Sequence, residues 1–209
     1  MRIMCLHGNG TNSSVLDLQI APLKHELEDG HEYEIVEAAL NAPRSSVPGV
    51  ESLSSPDHSF YAYYDLNDLS TLRIALDQLD DYVSTEGPFD AVLGFSAGAV
   101  LAATYILDKD RQGSKSPFKC GIFLSSADTM KEVGYLNLDA YSGLIRIPTA
   151  HIWGCKDQVA PTGGEDLARM CDSACRYTLV HGEGHEIPRK EYLVETVHLI
   201  RKTIYLASR

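Results

Sequence analysis

The chain has 209 residues, enough to bury a substantial core without disulfides or metals, and 1–209 reads as a single domain. A formal net charge of -11 with no offsetting Lys/Arg run argues against a phosphate-backbone partner, so no nucleic acid is expected. Five cysteines without framework spacing predict reduced thiols, and no apolar stretch reaches the length of a membrane span.

In chain order, residues 2–7 read as a short buried strand that starts too early to leave room for a signal peptide, which makes the cytoplasm the expected setting. The turn Gly8-Asn9-Gly10-Thr11-Asn12-Ser13 offers several residues able to cap the helix that follows. That helix carries Leu16, Ile20, Leu23 and Leu27 on one face, and Pro22 predicts a kink or break near residue 21. A second strand is expected over 33–40. Between 41 and 65 periodicity disappears, and the stretch closes on Phe60, Tyr61, Tyr63 and Tyr64. Those tyrosines either contact substrate or pin the loop to the core.

A helix over 67–84 shows an apolar stripe of Leu69, Leu72, Leu76, Leu79 and Val83. Next comes the apolar run 89–93, then Gly94-Phe95-Ser96-Ala97-Gly98, then a helix to about residue 108 that is apolar nearly all round. A strand over 120–124 follows. The segment 126–148 has no strong helical face and leaves room for only a small lid. Strands over 149–153 and 176–180 flank a helix over 164–172, and Pro188 is expected to open a last helix burying Leu193, Val197, Ile200 and Ile204. Apolar strands alternating with helices predict an α/β fold whose sheet, about six-stranded and mainly parallel, is covered on both faces. Ligands of such sheets bind at the carboxyl ends of the strands.

Four polar groups fall at those ends. Ser96 sits in a strand-turn-helix pattern with glycines two residues before and after it, a nucleophile elbow. A hydroxyl needs a base, and the base needs a carboxylate on its other nitrogen. His185, in the Gly-punctuated loop after the last strand, is preferred as base over His181, which abuts that strand. Asp157, in the turn after the fifth strand, is preferred as acid over Asp128. The order Ser, acid, His is that of the α/β-hydrolases. Backbone amides of Asn9 and Ala97 are the expected oxyanion donors, and His7 is expected to orient the first glycine turn by hydrogen bonding. No metal site or cofactor is expected: Cys171 and Cys175 lack a second ligand pair, and the glycine turn matches neither phosphate-loop pattern.

Taken together, Leu6-His7-Gly8-Asn9-Gly10-Thr11-Asn12-Ser13, the Ser96 elbow, Trp153-Gly154-Cys155-Lys156-Asp157 and the His185-Glu186-Ile187-Pro188 loop make the chain resemble the FSH-type serine hydrolases over almost its full length. The resemblance implies an α/β-hydrolase fold with a minimal lid, catalysis by Ser96, Asp157 and His185, and hydrolysis of a carboxylic ester or acyl-thioester. In some relatives it implies release of a polyketide-type acyl chain from an acyl carrier protein. Family members often carry tryptophans in the loop where this chain has Phe60-Tyr61-Ala62-Tyr63-Tyr64, a departure that bears on substrate identity; Tyr61, Tyr63 and Tyr64 are the expected substrate contacts. A non-catalytic ligand-binding member of the fold and a serine peptidase are the competing readings. Oligomeric state is not legible in the residues.

Overall fold

A computed structural model describes residues 1–28, 30–47, 50–55, 57–137 and 145–209. The elements run β1 (Arg2–Leu6), α1 (Ser13–Leu27), β2 (Glu32–Val36), β3 (Leu40–Asn41), α2 (Val50–Leu53), β4 (Tyr61–Ala62), α3 (Ser70–Glu86), β5 (Ala91–Phe95) and α4 (Ala97–Arg111). They continue with β6 (Cys120–Leu124), α5 (Met130–Tyr135), β7 (Thr149–Gly154), α6 (Gly163–Arg169), β8 (Arg176–His181), a 3-10 turn over Lys190–Tyr192 and α7 (Leu193–Ala207). Among the described residues, no helix is long and apolar enough to cross a membrane.

Six strands form one sheet in the order β2-β1-β5-β6-β7-β8, with every neighbouring pair parallel. Successive side chains of a strand point to opposite faces, so the sheet builds two cores. One face buries Met4, Leu6, Val92 and Phe123 against α3, α4, α5 and α6; the other buries Ile3, Cys5, Leu93 and Ile122 against α1 and α7. Helix α4 is buried from Ala97 to Asp108, as a helix apolar on nearly all sides must be. The chain leaves β1 toward β2 on one side and returns to β5 on the other. Its topological switch point therefore lies between the carboxyl ends of β1 and β5, where open α/β sheets bind their ligands.

Three local expectations are corrected. Helix α1 runs unbroken through Pro22. The turn before it lies on the outer face, where Leu18 is exposed, and water can replace the donor that proline lacks. Strand β2 ends at Val36, because Glu37 and Ala38 turn away from the strand to meet the His7 ring; residues 40–41 pair instead with β4 in a separate two-stranded ribbon. Pro188 does not open α7: Lys190 has φ 51°, so the α-helix begins only at Leu193. The lid-like segment contains α5, and residues 138–144 of it lie outside the described residues.

Helix α5 is tied to the aromatic loop by one buried contact, in which the Tyr64 hydroxyl donates to Glu132 Oε1 at 3.0 Å. Burial raises the Glu132 pKa above the ordinary glutamate value, more than that hydrogen bond lowers it. Below the ordinary value the carboxyl is protonated in folded and unfolded chains alike, and its contribution to stability is fully present. As pH rises through the raised folded value that contribution is lost. Glu132→Gln is therefore expected to flatten the decline in Tm as pH rises above the ordinary glutamate value, read by thermal unfolding at each pH; parallel curves for variant and wild type would sink the assignment.

Candidate active site

Register brings the site together. Leu6 of β1 pairs with Gly94 of β5, so Gly8 and Ser96, each two residues further on, emerge side by side at the switch point. A Cβ on Gly8 would lie 3.3 Å from Ser96 Cβ. Ser96 itself has φ 55° and ψ -121°, a conformation that side-chain-bearing residues rarely adopt and that functional turns maintain at a cost of about 1–3 kcal/mol. The flanking glycines make this turn possible. A Cβ on Gly94 would stand 2.5 Å from Ala99 Cα, and one on Gly98 would stand 2.3 Å from the Leu6 carbonyl oxygen. The turn is anchored by the Ser96 amide, which donates to Leu124 O of β6 at 3.0 Å.

On the other side, Gly154 of β7 pairs with His181 of β8, and the turns beyond them carry Asp157 and His185. The two turns are laced by backbone bonds: Cys155 N–H to His181 O at 2.8 Å and Lys156 N–H to Glu183 O at 3.0 Å. Gly154 permits this approach, since a Cβ there would meet Glu183 O at 2.1 Å. The outcome is a continuous hydrogen-bonded line. His185 Nδ1 lies 2.6 Å from Asp157 Oδ2, and His185 Nε2 lies 2.9 Å from Ser96 Oγ. An ionised carboxylate only accepts, so Nδ1 carries the proton of the neutral ring, and Nε2 is left to accept from the serine hydroxyl. The other Asp157 oxygen accepts the Val159 and Ala160 amides, both at 2.9 Å, which fixes the carboxylate plane. The Phe95 ring packs 5.5 Å from the imidazole.

The competing residues lie elsewhere. Asp128 is exposed and accepts from the Met130 amide at the start of α5. His181 is buried against the Tyr192 ring, its Nδ1 accepts from the Glu183 amide at 3.3 Å, its Nε2 has no hydrogen-bond partner among the described residues, and burial lowers its pKa. The Asn9 and Ala97 amides have no hydrogen-bond partner among the described residues, and Ala97 opens α4, where backbone donors are left free.

The tyrosine cluster divides. The Tyr63 hydroxyl accepts from the His7 amide at 3.1 Å and donates to Val36 O at 2.7 Å, and Tyr64 is committed to Glu132. Both hydroxyls are thus bound within the fold. The Tyr61 side chain is half-buried, while its backbone braces the first glycine turn: Tyr61 O accepts from Gly10 N and Tyr61 N donates to Thr11 O. Gly10 holds φ 68°, and a Cβ there would sit 2.5 Å from Pro43 O. Pro43, Ser45 and Tyr61 are therefore packed directly against the proposed oxyanion turn.

One residue escaped the sequence reading. Ser125, fully buried with φ 38°, follows β6 and donates its hydroxyl to Glu186 O at 2.9 Å, holding the loop that carries His185. Its position directly after a buried strand beside the elbow strand was the available signal. Among the described residues, no group of three His, Cys, Asp or Glu side chains gathers to hold a metal ion.

A parallel sheet with a strained serine at its switch point, hydrogen-bonded through histidine to aspartate, defines the α/β-hydrolase class of serine hydrolases. Within that class the chain belongs to the serine hydrolase (FSH1) family, whose profile matches residues 1–197. It is 40% identical over 207 residues to the esterase FPY3 of Fusarium mangiferae, covering 94% of this chain and 92% of that protein. It is 28% identical over 206 residues to the hydrolase phiM of a fungal species, covering 95% and 92%. Among solved structures, Arabidopsis thaliana SOBER1 superposes with a TM-score of 0.64 at 15% identity over 98% of this chain and 99% of that one. Zea mays acyl-protein thioesterase 2 gives 0.60 at 17% identity over 97% and 93%. At these identities the two structures speak to the fold.

Ser125→Ala is expected to lower kcat about tenfold with little change in KM, because the His185 loop loses a tether while the pocket is untouched. Steady-state kinetics on an activated ester check this; an unchanged kcat would show that the loop is held without that hydroxyl.

Proposed function

We propose that the chain hydrolyses carboxylic esters or acyl-thioesters through an acyl-enzyme on Ser96, acting as one catalytic domain over residues 1–209. The observation that carries the reading is the unbroken line from Ser96 Oγ to His185 Nε2 and from His185 Nδ1 to Asp157. Ser96 Oγ attacks the carbonyl carbon while its proton passes to His185 Nε2. The carbonyl oxygen becomes an oxyanion that accepts from the Asn9 and Ala97 amides. His185 returns the proton to the departing alkoxide or thiolate, and Asp157 stabilises the imidazolium between the two transfers. Water then repeats the sequence on the acyl-serine, and no cofactor enters. Similarity to a protein named as an esterase supports this substrate class.

A thiol leaves with little acid assistance, so a thioester suits the same machinery. An acyl chain of polyketide type held on an acyl carrier protein is the finer substrate that the family resemblance implies, with the rings of Tyr61, Tyr63 and Tyr64 as substrate contacts. All five cysteines are free, which supports work in a reducing compartment such as the cytoplasm.

The deciding experiment compares short and long acyl esters, the matching thioesters and a peptide amide, with Ser96→Ala as the blank. Ser96→Ala and Asp157→Asn are each expected to lower kcat by about 10⁴-fold or more, and Ser96→Ala to abolish phosphonate labelling, whereas Asp128→Ala stays within about twofold of wild type. Wild-type turnover by Ser96→Ala would remove the proposed nucleophile. Ligand-induced stabilisation without turnover of any acyl substrate would favour a binding module, and amide turnover above ester turnover a peptidase.

A further inference from the structure

We propose that His7 and Thr11 act together as positioning residues that lock the Gly8–Asn9 peptide with its N–H facing the reaction, an inference that rests on the acyl-transfer reading above. Gly8–Asn9 is a trans peptide, in which the carbonyl and the amide hydrogen point in opposite directions. Whatever fixes the Gly8 carbonyl therefore also aims the Asn9 amide. Two donors fix it: His7 Nδ1 lies 2.7 Å from Gly8 O, and the Thr11 hydroxyl donates to the same oxygen at 2.9 Å. Both lone pairs of that carbonyl are occupied, and the Asn9 N–H is left to the oxyanion.

The imidazole is itself held on every side. A carbonyl oxygen only accepts, so Nδ1 carries a proton toward Gly8 O, while Nε2 lies 3.2 Å from the Ala38 amide. The ring packs against Tyr63 at a tilt of 35° with centroids 4.9 Å apart and is fully buried. Glu37 Oε1 lies 3.0 Å from Nε2, and the same carboxylate accepts from the Ser13 amide and hydroxyl at the start of α1. Such bracing has a purpose at this peptide. Gly8 carries no Cβ, so rotation of the Gly8–Asn9 peptide meets little local resistance. A flipped peptide would present a carbonyl oxygen to the developing oxyanion, replacing attraction with repulsion.

Two substitutions separate this role from mere packing. In His7→Asn the side-chain amide nitrogen falls where Nδ1 was and still donates to Gly8 O. In His7→Gln the polar end falls where Nε2 was, so Ala38 keeps a partner and Gly8 O loses its imidazole donor; both variants lose the ring contact with Tyr63. With ester hydrolysis as readout, His7→Gln is expected to lower kcat by about 30- to 100-fold with KM within about threefold, and His7→Asn to recover to within about fivefold of wild type. Thr11→Val, which keeps the shape and removes the second donor, is expected to lower kcat about three- to tenfold. Affinity for a trifluoromethyl ketone, to whose carbonyl carbon Ser96 Oγ adds to leave a bound oxyanion while the proton passes to His185, should fall in parallel with kcat.

Equal losses in His7→Asn and His7→Gln, a loss confined to KM, or unchanged ketone affinity in a cooperatively folding His7→Gln would each overturn the proposal. If His7→Gln does not fold, Thr11→Val decides by the same measurements: a lower kcat supports the lock and an unchanged one overturns it. Ser96→Ala is assayed alongside, so that failure of the nucleophile assignment is seen separately from failure of the lock.

Discussion

The backbone of Ser96, held at φ 55° and ψ -121°, is the constraint on which the rest of the site depends. A serine does not stay in that conformation by local preference, so the surrounding structure must over-determine it. It does so through close approach: α4 starts so near β1 that Gly98 would clash with Leu6 O if it carried a methyl group, and β6 takes up the Ser96 amide. Burial of α4 along its first twelve residues, Ala97 to Asp108, supplies the apolar contacts that keep the helix seated there. The strain at one residue is thus offset by the packing of the whole middle of the sheet.

From that point the site is assembled by neighbouring strand ends rather than by any one segment. The elbow follows β5, the acid turn β7 and the histidine loop β8, and the last two are stitched by backbone hydrogen bonds that leave little freedom between Asp157 and His185. Ser125, from the strand that lies between the elbow strand and β7, adds a tether to Glu186. Because each bond joins two loops, the geometry at His185 is a shared property of β6, β7 and β8. That explains why the loop can be Gly-rich and still hold an imidazole within hydrogen-bonding distance of Ser96.

The aromatic loop acts on chemistry from behind. Tyr63 and Tyr64 are anchored inside the fold, and the backbone of Tyr61 pairs with the turn that carries Asn9. An aromatic cluster beside an active site invites reading as a substrate wall, yet hydroxyl groups with buried partners are structural pins first. Here the Tyr63 hydroxyl and the Tyr61 backbone converge on His7 and the first glycine turn.

The residues by themselves determined the alternation of apolar strands with amphipathic helices, the fully buried character of α4, the elbow around Ser96 and the order of serine, acid and histidine. These follow from periodicity, glycine placement and strand-end position, which are properties of short stretches. The extent of β2 and the course of α1 through Pro22 were not legible, because the first depends on a hydrogen bond from Ala38 to His7 and the second on which helix face meets water. Only the tertiary structure decided that Asp157 rather than Asp128 meets His185, that His185 rather than His181 meets Ser96, and that Tyr63 and Tyr64 hold the fold. Each of those outcomes is a contact between residues far apart in the chain, set by strand register across the sheet, and register is a collective result of packing that no local pattern contains.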